Sequence, residues 1–239
     1  MNKTIAILLT LSLFGCQSQQ TAERVDVQIH GKLKEIMMQN QLQSRIDLNE
    51  IELNSKRYGL GALAGLEGEI MILEGKPFIS KAIEGQVLME SSRDYGAALL
   101  VSSEVEEWTT TNLKSLSDLG SLEKLIEEKA KEENLKTEGI IPFMIKGKIN
   151  RIEWHIINAV EATEASHEAY KSSGKEDVSK SEEVEILGFF SKKHEGVFTH
   201  HGSFLHLHFI NKNRTIMAHV DELMSQNEAQ LFLPKSLKQ

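Results

Sequence analysis

The 239-residue chain carries 27 basic and 35 acidic side chains, and this acidic balance argues against a nucleic-acid partner because no basic face is available to neutralise phosphates. A single cysteine, Cys16, excludes an intramolecular disulfide, so the fold must rest on its own hydrophobic core. About 220 residues follow this cysteine, which is enough for one large domain or two small ones.

The N-terminus is typical of an exported lipoprotein. Lys3 precedes the apolar run Ile5–Phe14, which is too short to span a bilayer but has the layout of a secretory signal. At the end of this run the sequence LFGC, residues 13–16, resembles the bacterial lipoprotein cleavage box; an ordinary signal peptide is the alternative. We therefore expect a signal peptide over residues 1–15, a lipid on Cys16 and a flexible polar tether over residues 16–26. The protein would lie at the periplasmic face of the inner or outer membrane, with this lipid as its only membrane contact.

From residue 27 onward the apolar spacing predicts an α+β protein with a strand-rich second half. Helices are expected over Val27–Leu48 and over residues 121–135, the second one capped by Ser121. Residues 158–183 are rich in Glu, Ser, Lys and Ala and are predicted to form a mobile surface excursion. The expected strands are Glu69–Leu73 and Pro77–Ile79 around a turn at Gly75, Ala97–Ser102, Ile140–Trp154 (one strand, or a hairpin around Gly147), Val184–Phe190, Ser203–Ile210 and Thr215–Val220. The folded part is predicted to span residues 27–239, with subdomains over about 27–135 and 136–239.

Three histidines near the C-terminus share a predicted face. The segment FLHLHFI alternates strictly, so His206 and His208 lie on one side of a strand and the large apolar side chains on the other. The next residues, NKNR, favour a hairpin, and pairing of Ile210 with Thr215 would place His206 directly opposite His219. Such a set leaves coordination positions open, which favours zinc, with iron, nickel or copper as alternatives. The other histidines of this region are predicted to be loop residues without a metal role: His167, His194, His200 and His201.

Two blocks of the chain resemble the α-acetolactate decarboxylase family. The first is Tyr58–Ile70 (YGLGALAGLEGEI), which is similar to the family's Gly-Leu-Gly-Thr…Leu-Asp-Gly-Glu block. The second comprises ILGFFS from Ile186, FLHLHF, and His219; in the family this block binds zinc through three histidines at the same spacing. With a weaker match over Ile141–Ile157, the likeness covers nearly all of residues 30–235. It implies a β-rich, two-layer or barrel-like fold with the metal site on a C-terminal β-hairpin.

The resemblance also implies a reaction, the conversion of 2-acetolactate or a related β-keto acid to acetoin and CO2. Zinc, without an organic cofactor, would chelate the ketone and the neighbouring hydroxyl and stabilise the charge left by decarboxylation. In the family the Glu of the Gly-Glu step takes part in protonation, and Glu69 stands at that position here. The alternative for Glu69 is a solvent-facing hairpin residue. The family's members associate as dimers, so a homodimer is also implied.

The sequence departs from the family pattern at three places. Ala62 replaces a threonine, and the chain stops at Gln239 without the family's late glutamate. His155 occupies the position of an arginine expected to hold the substrate's carboxylate, and it offers fewer donors than a guanidinium fork. Arg151 lies four residues earlier, about 13 Å away at roughly 3.3 Å per residue, so His155 is the nearest carboxylate contact.

Two functions therefore remain open from the sequence. One is a zinc-dependent carboxy-lyase in which His206, His208 and His219 bind the metal, Glu69 supplies the proton and His155 contacts the carboxylate. The other is a zinc-binding lipoprotein of the same fold that has lost decarboxylase activity, which would explain the three departures together. A purely structural zinc site is disfavoured, because such sites normally have four protein ligands.

Overall fold

The computed structural model describes residues 26–226 and 228–235. The predicted signal peptide, Cys16 and all of the tether except Asp26 lie outside the described residues. No helix within those two described ranges combines the length and apolar character needed to cross a membrane.

Strands predominate in the described part of the chain, which confirms the α+β, β-rich class. The strands are β1 (Val27–His30), β2 (Ile46–Asp47), β3 (Arg57–Leu63), β4 (Glu69–Leu73), β5 (Lys76–Ile83), β6 (Gln86–Glu90), β7 (Gly96–Glu104), β8 (Trp108–Asn112), β9 (Ile141–Ile156), β10 (Lys175–Phe190), β11 (Leu205–Asn211), β12 (Met217–Met224) and β13 (Ala229–Pro234). The α-helices are α1 (Leu33–Gln39), α2 (Leu119–Glu132) and α3 (His167–Ser172), with short 3-10 helices at Leu48–Glu50 and Ala64–Leu66.

The strands form two sheets that follow each other along the chain. The first has the order β1-β7-β3-β4-β5-β6, with β2 also paired to β7. The second has the order β10-β11-β12-β9-β13-β8. In the second sheet β10 pairs with both β9 and β11, and β12 pairs with both β11 and β9, so these four strands close into a ring. The predicted two-layer, barrel-like architecture is therefore correct, while the division into subdomains stays a prediction.

The space between the sheets is a hydrophobic core contributed by both of them. It contains Leu60, Met71 and Leu99 from the first sheet and Met144, Leu187 and Ile210 from the second. The opposite face of the second sheet packs on α2, where alternate residues of β11 (Leu205, Leu207 and Phe209) contact the apolar face of that helix in a separate cluster. Strand alternation therefore turns the histidines between these residues toward the first sheet.

The predicted helix over Val27–Leu48 is wrong except for α1. Residues Val27–His30 instead pair with β7 as an edge strand. Gly31 separates the two elements: its φ is +80°, and a Cβ there would lie 2.1 Å from the carbonyl oxygen of Ala98. The helix ends at Asn40, which adopts the left-handed conformation common at helix C-termini. Residues with the same apolar spacing therefore form a strand where β7 offers backbone partners, and a helix at α1, which pairs with no strand in the described ranges.

Two other local expectations also need correction. Helix α2 begins earlier than predicted, with Asp118 rather than Ser121 as its cap; Ser121 is the reciprocal partner in a capping box. Residues 158–183 do not form a surface excursion, since they contain α3 and the first half of β10. That half pairs with β9 from Lys175 opposite Ile156 to Glu183 opposite Lys148. Its polar composition reflects exposure of a paired strand, which composition alone cannot distinguish from a loop.

Candidate metal centre and cavity

The hairpin of β11 and β12 brings the three predicted histidines together with a register different from the one expected. Ile210 pairs with Met217, and His208, not His206, lies opposite His219. The turn is longer than four residues because Asn211 organises it: its side-chain oxygen accepts hydrogen bonds from the backbone N–H groups of Thr215 and Ile216. The shift is two residues, so all three imidazoles keep the same face of the sheet.

The three imidazoles form a compact, buried cluster. Their ring centroids are 5.1 Å apart for His206 and His208, 5.1 Å for His206 and His219, and 5.4 Å for His208 and His219. One nitrogen from each ring lies within 4.8 Å of the others. From this spacing, small rotations of the rings bring the three nitrogens to ligand distances of about 2 Å from one ion.

The chemistry of the donors also fits a metal ion. The Nδ1 of His208 lies 3.0 Å from the carbonyl oxygen of Ile70 and must donate to it, which leaves a lone pair on Nε2. That Nε2, like the Nδ1 of His206, is buried and has no hydrogen-bond partner among the described residues. Burial lowers the pKa of His208 to about 3 and the pKa values of His206 and His219 well below 6.5. Neutral imidazoles with free lone pairs are the form that binds metals.

Glu69 reaches the cluster from β4 of the opposite sheet. It is 3% exposed, so the solvent-facing alternative is excluded. One carboxyl oxygen accepts a 3.0 Å hydrogen bond from the backbone N–H of Ile157, and the other lies 3.6 Å from Nε2 of His208. Burial raises the pKa of Glu69 to about 7, against the smaller lowering effects of His155 and the Ile157 hydrogen bond. A carboxyl group with this pKa can hold and release a proton near neutral pH.

His155 stands beside the cluster, held by an acidic residue that the sequence did not reveal. It lies opposite His219 in the pairing of β9 with β12, and the two ring centroids are 4.8 Å apart. Its Nδ1 is 2.9 Å from a carboxyl oxygen of Asp221, which in turn lies 3.2 Å from Nζ of Lys171. Asp221 falls where the register shifts in β12, and such a bulge redirects the side chain. Burial raises the pKa of Asp221, but the hydrogen bond and charge of His155, with Lys171, lower it by more.

A small cavity adjoins these groups and is lined by His167 and His200, which the sequence predicts to be loop residues without a metal role; for His167 the loop prediction is wrong, since it is the first residue of α3. The volume of the cavity is about 30 Å³. His167, at the start of α3, and His200, in the loop before β11, both line it beside Glu69 and His155. The remaining wall is apolar: Leu33, Ile36 and Met37 of α1, with Ala62, Leu66, Leu99 and Ile157. Neither the strand alternation nor the family motifs marked His167 and His200, because their positions depend on α3 and on the loop fold.

The other sequence-predicted residues fall outside this cavity or at its edge. Ala62 lies directly opposite Glu69 in the β3–β4 pair and contributes only a methyl group to the wall. Arg151 is not among the residues that line the cavity, and it forms an ion pair with Glu153. His194 hydrogen-bonds Ser191 and stacks on Phe198, and the side chain of His201 is fully exposed. No arginine or lysine is among the described residues that line the cavity.

Two β-sheets that enclose a buried, open-sided histidine triad and a carboxyl group define a β-rich protein able to bind a metal ion. The family model for α-acetolactate decarboxylase matches residues 30–235. The chain therefore belongs to the α-acetolactate decarboxylase family.

Solved structures agree with this fold. The α-acetolactate decarboxylase from Bacillus subtilis strain 168 is similar with a TM-score of 0.71 and 14% identity, over 87% of this chain and 85% of that one. The acetolactate decarboxylase of Bacillus subtilis subspecies spizizenii gives 0.71 and 15%, over 88% and 86%. A Staphylococcus aureus protein of unknown function, similar to α-acetolactate decarboxylase, gives 0.66 and 17%, over 87% and 84%. No curated protein sequence matches the chain. At these identities the likeness to solved structures establishes the fold alone, and the chain is a divergent member of its family.

Proposed function

We propose that the protein is a metal-dependent carboxy-lyase that converts 2-acetolactate, or a related β-keto acid, to acetoin and CO2. The observation that carries the proposal is the placement of a buried carboxyl group, Glu69, against three neutral imidazoles whose nitrogens lie within 4.8 Å of one another. Family membership adds the reaction class.

In this proposal His206, His208 and His219 hold a zinc ion. Three nitrogen donors with further coordination positions free are typical of catalytic rather than structural zinc. When bound, the ion supplies Lewis-acid chemistry at the ketone and hydroxyl oxygens of the substrate. The carbonyl of Ile70 keeps the ring of His208 oriented, which is the usual function of a second hydrogen bond to a metal-binding histidine.

The other residues of the cavity handle the proton and the carboxylate. Glu69, with a pKa raised by burial to about 7, donates the proton that replaces the departing CO2. The backbone N–H of Ile157 fixes one of its oxygens, so the second oxygen remains free for this transfer. His155 contacts the substrate's carboxylate before CO2 leaves. The apolar wall excludes water from the charge that develops during decarboxylation.

A second candidate function is a zinc-binding protein of this family without decarboxylase activity. Ala62 favours it, because a methyl group stands opposite Glu69 where the family resemblance implies a hydroxyl. The volume of about 30 Å³ favours it too, since cavities that hold small ligands are usually about 300 Å³ or larger. Under the leading proposal the cavity must open to admit substrate.

The two candidates are separated by measuring acetoin. The purified protein is loaded with zinc, its metal content is measured by elemental analysis, and acetoin formation from racemic acetolactate is followed with and without a chelator. We expect chelator-sensitive acetoin formation that His206→Ala abolishes. Glu69→Gln should retain zinc but lose most of the activity, while the exposed neighbour Glu67→Gln retains both. Bound zinc with acetoin at the spontaneous rate would establish the second candidate instead.

We also propose that Cys16 carries a lipid that anchors the domain at the periplasmic face of a membrane, and that the protein forms a homodimer. The first rests on the LFGC sequence and the second on the family. Incorporation of a labelled fatty acid that is lost in Cys16→Ser tests the anchor. The mass of the purified protein by light scattering tests the dimer.

A further inference from the structure

We propose that His167 and His200 complete, together with His155, a subsite that binds the carboxylate group of the ligand. This inference rests on the proposed function for the identity of the ligand, a small β-keto acid such as 2-acetolactate, which also carries a 2-hydroxyl group. The juxtaposition that carries it is a continuous wall of imidazoles on the side of the cavity next to the metal-binding cluster.

The wall consists of four neighbouring imidazole rings arranged in a closed ring. One of them, His219, also belongs to the triad. His155 lies 4.8 Å from His219 and 5.8 Å from His167, measured between ring centroids. His200 lies 4.8 Å from His167 and 5.5 Å from His219. All four line the same cavity. A ligand in this cavity therefore lies next to His219 of the triad and next to the other three rings.

The polarity of the cavity surface and the charge of the ligand indicate which part of the ligand binds to this wall. A carboxylate cannot be buried against an apolar surface without hydrogen-bond donors. Apart from His206, His219 and the acidic Glu69, the only polar side chains on the cavity surface in the described part of the chain are His155, His167 and His200. The carboxylate has two oxygens, and a single histidine at position 155 cannot supply the paired donors of an arginine. The imidazoles of His167 and His200 supply the further hydrogen-bond donors that the carboxylate needs.

His167 is free to take this role. Its Nδ1 is buried and has no hydrogen-bond partner among the described residues, so a bound acceptor would satisfy it. The helix that carries His167 is held in place by three contacts. Ser166 caps α3, the Tyr170 hydroxyl donates a hydrogen bond to the side-chain oxygen of Asn40, and Lys171 forms an ion pair with Asp221. The same Asp221 holds His155, so one network orients two of the three rings.

The test compares two probes of nearly the same shape, 2-hydroxy-2-methylpropanoate and its neutral amide. Their affinities for the zinc-loaded protein are measured by calorimetry. The wild-type protein should bind the acid more tightly than the amide. In His167→Leu and in His200→Leu this preference should fall about tenfold, the effect of losing one hydrogen bond to a charged group. His167→Asn, which keeps a donor, should restore part of it.

His201→Leu is the matched control, because His201 adjoins His200 but its side chain is fully exposed. It should leave the preference unchanged. Equal zinc content and thermal stability across the variants exclude a folding effect. If His167→Leu or His200→Leu does not fold, the remaining variant carries the test, since α3 and the loop before β11 are separate elements. An acid preference that survives both leucine substitutions, or is absent from the wild-type protein, would overturn the subsite. Loss of the preference in a protein that forms no acetoin would support the subsite while rejecting the decarboxylase.

Discussion

Replacement of Glu69 by glutamine tests whether burial controls this carboxyl group as the structure indicates. The unfolded chain has a glutamate pKa near 4.5, whereas in the folded, metal-free protein the pKa of Glu69 is about 7. Between these values the folded state binds more protons than the unfolded state, so a rise in pH costs stability. At one pKa unit per about 1.4 kcal/mol, the full cost above pH 7 is about 3 kcal/mol. Most of it, about 2 to 3 kcal/mol, develops between pH 5 and pH 8.

Glutamine keeps the shape and can still accept the hydrogen bond from Ile157, but it cannot ionise. The stability of Glu69→Gln relative to wild type should therefore rise by about 2 to 3 kcal/mol from pH 5 to pH 8. Urea unfolding in the presence of a chelator measures both proteins across this range. The buried histidines, whose lowered pKa values cost stability as the pH falls below 6.5, are present in both proteins and cancel. Glu67→Gln, at an exposed position, should change nothing. Parallel stability curves for Glu69→Gln and wild type would refute the assignment of a burial-raised pKa.

Three further outcomes follow from the site. Zinc at 100 times its dissociation constant should stabilise the wild-type protein by about 2.7 kcal/mol, or roughly 5 to 10 °C in Tm, and this calorimetric shift should be absent in His206→Ala. Asp221→Asn should keep its zinc but lose about tenfold in kcat/KM for acetoin formation, because His155 loses its charged partner; unchanged kinetics would exclude a positioning role. A Lys34→Cys/Gly196→Cys pair, in a background without the native cysteine, should form a disulfide, since a Cβ on Gly196 would lie 3.7 Å from that of Lys34; the φ of +70° at Gly196 means that the cysteine there also lowers stability. Oxidation should block turnover and reduction restore it, because this link ties α1 to the loop beside the cavity; full activity when oxidised would mean that the cavity opens elsewhere.

The parts of the fold that the sequence predicted are those set by local periodicity. The β4–β5 hairpin follows from two apolar runs separated by Gly75, and the β11 strand from strict alternation. Helix α1 shows where periodicity is insufficient. Residues on both sides of it have the same apolar spacing, and hydrogen bonds to β7 drew Val27–His30 into a sheet. The local sequence pattern cannot show that β7, about seventy residues further along the chain, is available as a partner strand.

The cavity could be only half predicted, for the same reason. Glu69 and the triad lie in blocks that resemble the family, whereas Asp221, His167 and His200 belong to a bulge, a short helix and a loop. Their closeness depends on how β9 pairs with both β10 and β12. Residues 158–183 therefore read as a surface excursion in the sequence, although they carry His167 into the cavity and Lys171 to Asp221.

The predicted and observed hairpin registers differ by two residues, and this even difference explains why the three histidines still share one face, as the sequence predicts. A slip of two residues along a strand moves a side chain about 7 Å but returns it to the same face, whereas a slip of one residue reverses the face. Any even register would thus have kept His206, His208 and His219 on one side. The observed register of β11 and β12 pairs His208 with His219, and the separate pairing of β12 with β9 places His219 opposite His155. The long turn around Asn211 therefore sets which histidine lies opposite His219, while the pairing of β12 with β9 joins the metal-binding cluster to the proposed carboxylate subsite at His155.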